Sequence, residues 1–170
     1  MAHPGKKMLF MGCEYGQFRE WDYATQLEWF MLDYETHATL RRYTAKLNNF
    51  YLKTPQLWEV DFTWDGFDWI YPDMKGENVA AFRRFDKSGN ELIAVMNFSA
   101  SDVRDLWIPA RSQSYRVAFS TDDAELGGSG LSSSGVLKAR GKKDEQKFIH
   151  VDLAPLSAVI LLPPKKRKSK

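Results

Sequence analysis

Residues 92–98 read LIAVMNF. A strand with one wet face alternates apolar and polar side chains; this one is apolar on both faces, which predicts a central strand. Working outward, 86–90 (DKSGN) predicts a hairpin turn, with Gly89 free to take positive φ. In SYRVAFS (114–120), Tyr115, Val117 and Phe119 point one way and Arg116 and Ser120 the other. KFIHVDL (147–153) alternates too, Ile149, Val151 and Leu153 against His150 and Asp152. Strands are predicted at 66–71, 78–86, 91–99, 102–110, 114–120, 136–140, 148–153 and 157–162. Eight short strands at even spacing predict an antiparallel β-sandwich over residues 56–164, a mainly β fold. Its core should hold Leu92, Ala94, Met96 and Phe98 with Tyr115, Val117, Phe119 and Ile149. The stretch GGSGLSSSG (127–135) reads as a flexible loop.

Upstream of Pro55 the period changes. Leu40, Tyr43, Leu47, Phe50 and Tyr51 recur at three and four, predicting an amphipathic helix over 35–51. Asp33 is the expected N-cap, Glu35 suits the first turn, and Pro55 ends the helix. A shorter helical piece is predicted at 25–32. Residues 7–11 (KMLFM) read as a short buried strand. One strand and one helix cannot bury both their faces alone, so residues 1–55 are expected to be the last strand–helix unit of something larger.

Composition narrows the function. The 170 residues are 44% hydrophobic and 14% aromatic, ample for a core. The formal charge of +2 misleads: the terminal KKRKSK (165–170) holds five of the 24 basic side chains, leaving 19 against 22 acidic, a net of −3. The folded part is mildly acidic, and no nucleic-acid partner is expected. The basic tail resembles a nuclear-import signal but reads first as a solvated terminus. Cys13 is the only cysteine, which excludes an internal disulfide and fits a reducing, cytoplasmic setting; no Cys/His spacing suggests zinc. MAHPGKK lacks the apolar region of a signal peptide, and no apolar run reaches the ~20 residues of a membrane helix. Asp122-Asp123 lacks EF-hand spacing. No metal and no cofactor are expected.

The stretch MGCEYGQFREWDY (11–23) packs Glu14, Gln17, Arg19, Glu20, Trp21 and Asp22 into one polar, aromatic turn. With KKMLF before it and LEWF, His37, Leu47-Asn48 and Pro55-x-Leu57 after it, the chain resembles the end of the catalytic barrel of glycogen (1,4-α-glucan) branching enzymes, in glycoside hydrolase family 13 of the α-amylase superfamily. WDGFDWI (64–70), VMNFS (95–99), STDDAELGGSG (120–130) and APLSAVIL (154–161) resemble that family's C-terminal domain. Tyr15 stands where Phe is usual in the family.

The resemblance implies a C-terminal part of a branching enzyme, a glycosyltransferase that cleaves α-1,4 glucan and re-attaches it by an α-1,6 link in glycogen or starch biosynthesis. Residues 7–11 would be strand eight of the (β/α)₈ barrel, and the loop after it would form the rim of the glucan cleft. The family's nucleophilic Asp, acid/base Glu and stabilising Asp lie on earlier strands, so no catalytic residue is expected in this chain, and it should be inactive alone. Glu14, Gln17 and Trp21 are the candidate substrate-binding residues, in place of an acid/base role for Glu14 and Glu20. Trp21 can stack on a sugar ring or pack the loop; Gln17 can meet a sugar hydroxyl or hold the loop; Glu14 can bond within the loop or with cleft neighbours. His37 reads as packed or capping and His150 as solvent-facing. Trp58, Trp64, Phe67, Trp69 and Tyr71 are expected to pack against the barrel rather than form a sugar platform. The expected partners are an α-glucan and the rest of the barrel. Without the barrel, the strand at 7–11 and the helix face of Leu40, Tyr43 and Leu47 should drive self-association. The alternative is a stand-alone carbohydrate-binding β-sandwich module without enzymatic activity.

Overall fold

A computed structural model of the chain describes residues 1–72, 78–142 and 145–164. The basic tail lies outside the described residues.

Among the described residues eight strands form, as expected: β1 (Phe67–Tyr71), β2 (Val79–Phe85), β3 (Glu91–Asn97), β4 (Val103–Ala110), β5 (Ser114–Ser120), β6 (Val136–Lys138), β7 (Lys147–Leu153) and β8 (Ala158–Leu162). One sheet runs β1-β2-β3-β8-β5-β6 and a second pairs β4 with β7. Every pairing is antiparallel. LIAVMNF takes the inner position it predicts, with β2 on one side and β8 on the other. At the β2–β3 turn, Gly89 sits at φ 72°, and Asp86 Oδ1 accepts the amides of Ser88 and Asn90, both at 2.9 Å.

Both faces of the large sheet are buried, and they split the expected core. Between the sheets lie Ile93 and Val95 with Tyr115, Ile108, Ile149 and Val151. Leu92 and Ala94 face the other way, joining Phe82, Phe119 and Ile160 under the helix α1 (Glu35–Leu52). A strand apolar on both sides carries no period-2 signal to say which face meets which layer. Met96 follows Leu92 and Ala94, partly buried. Phe98 lies beyond the strand end and is 64% exposed, a correction to its core assignment. Ile93→Ala should therefore cost about 2–5 kcal/mol. Phe98→Ala should cost less than about 1 kcal/mol. Urea titration of the two variants checks the order.

The helix was expected to rest on a barrel, but Tyr43, Leu47, Phe50 and Tyr51 pack on the sheet. Tyr43 and Phe50 meet the Phe119 ring at centroid distances of 6.0 and 5.4 Å. The N-cap is Tyr34, not Asp33, and supplies no side-chain cap; Asp33 closes a 3₁₀ turn (Trp29–Asp33), which replaces the helix predicted at 25–32. At the other end Thr54 Oγ1 donates back to Phe50 O at 2.6 Å, and Pro55 begins a new 3₁₀ turn. Phe67 and Trp69 meet Phe82 of the adjacent strand at 5.0 and 5.7 Å, while Trp58, Trp64 and Trp69 stay 41%, 85% and 45% exposed.

Residues 7–11 form no strand. A strand is defined by a partner's N–H and C=O groups, and none stands beside this segment among the described residues. The chain start folds back instead: Arg84 Nη1 donates to Ala2 O at 2.8 Å, and Lys7 Nζ lies 3.7 Å from Asp61.

The 127–135 loop is pinned rather than flexible. Asp122 Oδ1 accepts the amide and hydroxyl of Ser129 at 2.6 and 2.7 Å, and Oδ2 accepts the Ser132 amide at 2.8 Å. Burial works to raise the Asp122 pKa, but these donors overcome it and hold the value at about 2. A depressed carboxylate adds stability above its unfolded pKa near 3.8 and loses it as pH falls through 2, here about 2 kcal/mol. The melting-temperature gap between the parent and Asp122→Asn should accordingly be full at pH 5 and close by pH 2.

Candidate functional site

The loop 11–23 is held by its own chain. Amides of Cys13, Tyr15 and Gln17 donate to Phe10 O and Gly12 O at 3.0–3.2 Å, giving two tight turns. Gly12 sits at φ 83°, and a Cβ there would lie 2.8 Å from Gln17 Cβ, so only glycine fits. Tyr15 is fully buried against Trp29, at a centroid distance of 5.7 Å. Burial pushes its hydroxyl pKa up, with Glu14 and Glu28 adding to the shift, so it stays protonated and donates.

That donation goes to Gln17. Gln17 Oε1 accepts Tyr15 OH at 2.9 Å and the Glu28 amide at 3.0 Å, while Nε2 donates to Arg19 O at 3.2 Å. The Gln17 side chain thus clamps the two ends of the loop together. Glu28 Oε2 accepts the Arg19 amide at 3.0 Å, closing the same ring from the other side. Farther out, Asp22 accepts from the Ala24 amide and the Thr25 hydroxyl, both at 2.9 Å, and these bonds, the Ala24 amide first, lower its pKa. His37 Nδ1 lies 2.8 Å from Tyr15 O, so the helix start anchors the loop as a packed histidine should.

The three candidate residues separate in kind. Gln17 is committed to the loop's internal bonds. Glu14 is half-buried and makes no hydrogen bond or ion pair among the described residues. Trp21 is 68% exposed, its ring edge against Phe10 at 6.2 Å and beside Tyr23 at 6.2 Å. The result is a turn held by its own hydrogen bonds, with the half-buried Glu14 carboxylate, the exposed Glu20 carboxylate and the exposed Trp21 ring all free of hydrogen-bond partners among the described residues. Tyr15, Arg19 and Glu28 were missed as loop-holding residues, though Tyr in place of the family's Phe was a visible signal. Among the described residues no group of three or more His, Cys, Asp or Glu could hold a metal ion, and both Asp122 oxygens are already taken by donors. No helix among them is long and apolar enough to cross a membrane.

Comparison with known proteins agrees with this architecture. Residues 69–164 match the family model of the alpha amylase C-terminal all-beta domain. The chain is similar to the 1,4-alpha-glucan branching enzyme GlgB of Halothermothrix orenii, 36% identical over 96% of the chain and 26% of the relative. It is 38% identical to the Aquifex aeolicus enzyme of that name, over 94% of the chain and 26% of the relative. A second GlgB of Clostridium perfringens is also 38% identical, over 95% of the chain and 25% of the relative. The chain spans about a quarter of the length of the curated relatives it matches, and the aligned part runs through the loop and helix as well as the sandwich. The eight-stranded antiparallel sandwich and the family match give the same answer: this chain belongs to the alpha-amylase C-terminal all-beta domain family.

Proposed function

We propose that the chain is the C-terminal part of a 1,4-α-glucan branching polypeptide, that residues 1–55 complete a catalytic barrel, and that the loop 11–23 is a rim of its glucan cleft. The observation that carries this is the extent of the similarity, 94–96% of the chain, against relatives named as branching enzymes. A stand-alone carbohydrate-binding module would account for the sandwich but not for the loop and helix that match with it.

The division of labour follows from the residues. The retaining chemistry of glycosyl transfer needs a nucleophile and an acid across one bond. The loop supplies neither. It supplies Trp21 for stacking on a sugar face, Glu14 as an acceptor for sugar hydroxyls, and Gln17 to hold both in place. The substrate is an α-glucan, the partner the remainder of the barrel, and the setting cytoplasmic.

The test joins this chain to the first three quarters of a relative such as the Aquifex aeolicus enzyme. Iodine staining of amylose should fall with the joined polypeptide and stay unchanged with either part alone. Staining lost with this chain alone, or unchanged with the joined one, contradicts the proposal.

Self-association of the isolated chain belongs to the same reading. Met8, Leu9, Phe10 and Phe18 are exposed, whereas the helix face is largely covered, so the association surface narrows to the N-terminal segment and loop. Light scattering should show dimers that revert to monomers in Met8→Lys/Phe10→Lys; a parent monomeric at millimolar concentration contradicts the reading.

A further inference from the structure

The two sheets meet at one edge. Arg140, just beyond β6, exchanges amide–carbonyl bonds with Phe148 of β7 at 2.8 and 2.9 Å. The outer surface is therefore continuous from β5 and β6 across to β7 and β4. Tyr115, Leu137, Ala139, Ile149 and Ile108 turn inward, to the core between the sheets. The residues that alternate with them face outward: Arg116 on β5, Lys138 and Arg140, then Phe148 and His150 on β7 and Trp107 on β4.

One half of this band is cationic. Arg116, Lys138 and Arg140 are exposed, and their side chains make no hydrogen bond or ion pair among the described residues. The nearby carboxylates are spent elsewhere. Asp105 bonds His150 Nδ1 through Oδ1 and accepts Trp107 Nε1 through Oδ2 at 3.0 Å. It reaches both because a bulge between Val103 and Leu106 turns it to φ 53°, a backbone state costly for a residue other than glycine. The bonds from His150 and then Trp107 hold the Asp105 carboxyl below its usual range, with the charges of His150 and Arg140 adding to the shift. Asp152 Oδ1 accepts the Asp105 amide at 2.9 Å, and its Oδ2 lies 4.0 Å from Arg104. Ahead of its basic tail the chain holds 19 basic against 22 acidic side chains, a net of −3. Three neighbouring cations left uncompensated on one face of such a chain favour an anion there.

The other half is aromatic. Trp107 is 52% exposed yet fixed in place. Tyr71 OH donates to its carbonyl at 2.7 Å, and the His150 and Phe148 rings stand 4.8 and 5.7 Å from the indole between centroids. Arg140 sits two strands across and two residues along from Trp107, about 12 Å between Cα atoms at ordinary strand spacing.

We propose that this face binds a nucleoside polyphosphate, its base stacked on Trp107 and its phosphates met by Arg140 and Lys138. A ligand that answers both halves carries a flat ring and negative charge on one short molecule. A nucleobase stacks on an exposed indole whatever its identity, and arginine pairs with phosphate oxygens two at a time. A neutral sugar would leave the cations unmatched, and a bare polyphosphate would leave the indole uncovered. His150 Nε2, unpaired among the described residues, stands next to the indole as a partner for the ribose hydroxyls.

The test is equilibrium dialysis of the full chain against radiolabelled ATP in the presence of EDTA, with tripolyphosphate, adenosine and maltoheptaose as competitors. ATP should bind; tripolyphosphate or adenosine should displace it far less well than unlabelled ATP, and maltoheptaose not at all. Trp107→Ala and Arg140→Ala should each weaken binding about tenfold, the loss of one stacked base or one charged hydrogen bond. Lys138→Ala should weaken it about threefold. Arg41→Ala, which removes an exposed cation from α1, should match the parent. Melting temperatures separate lost binding from lost folding, and Arg140→Ala, a change at the surface, decides the matter where Trp107→Ala is unstable. Tripolyphosphate as effective as unlabelled ATP overturns the proposal, since the base then contributes nothing. Binding unchanged in both Trp107→Ala and Arg140→Ala assigns it to the basic tail and overturns the site. So does a parent that takes up no ATP at millimolar concentration.

Discussion

Replacing Arg84 with methionine is expected to cost about 3–5 kcal/mol, the usual result of removing one member of a buried ion pair. Arg84 is fully buried on β2, and its guanidinium spends every arm: Nη2 on Asp61 Oδ1 at 2.6 Å, Nε on Gly66 O at 3.0 Å and Nη1 on Ala2 O at 2.8 Å. It therefore ties the chain start, the 55–66 connection and the large sheet into one body. Methionine fills the volume but leaves the buried Asp61 carboxylate with only Lys7, 3.7 Å away, and orphans two carbonyls. Urea unfolding should show the loss, and adding Asp61→Leu should recover part of it. A single variant within 1 kcal/mol of the parent would mean the N-terminal segment is not packed as described.

Gln17→Ala is expected to act on function more than on stability. In the joined polypeptide it should lower kcat/KM for amylose about 10²-fold, because it frees the ends of the loop that positions Trp21 and Glu14. The melting temperature of the isolated chain should move by only a few degrees, since the lost bonds cost about 1 kcal/mol each and lie at the protein's edge. Tyr15→Phe removes one of the same bonds and restores the residue usual in the family; it should cost less than tenfold. Equal activity in Gln17→Ala would show that the loop needs no clamp.

The strands were legible because SYRVAFS and KFIHVDL alternate, and alternation is a direct image of one buried face. What β3 hid was its facing. Leu92 and Ile93 are equally apolar, so nothing local said that Ile93 meets the second sheet and Leu92 the helix. Residues 7–11 misled for a related reason: an apolar run records a wish for burial, whereas a strand also needs a neighbour. The serine-rich 127–135 stretch looked flexible because its organiser, Asp122, lies seven to ten residues away. In the loop 11–23 the residue types pointed to the site, but the clamp from Gln17 to Glu28 spans eleven residues and appears only once the turn is closed. His150 read as solvent-facing, and half of that holds; its bond to Asp105 depends on a bulge that no pattern in 102–110 announces.

The claim that the loop 11–23 borders a glucan cleft is tested most directly by hydroxyl-radical footprinting of the joined polypeptide with and without maltoheptaose. Trp21 and Trp64 are both largely exposed and serve as site and control. The account predicts that maltoheptaose slows oxidation of Trp21 severalfold and leaves Trp64 unchanged. Oxidation of Trp21 at the same rate with saturating maltoheptaose, in a polypeptide that branches amylose, would contradict it.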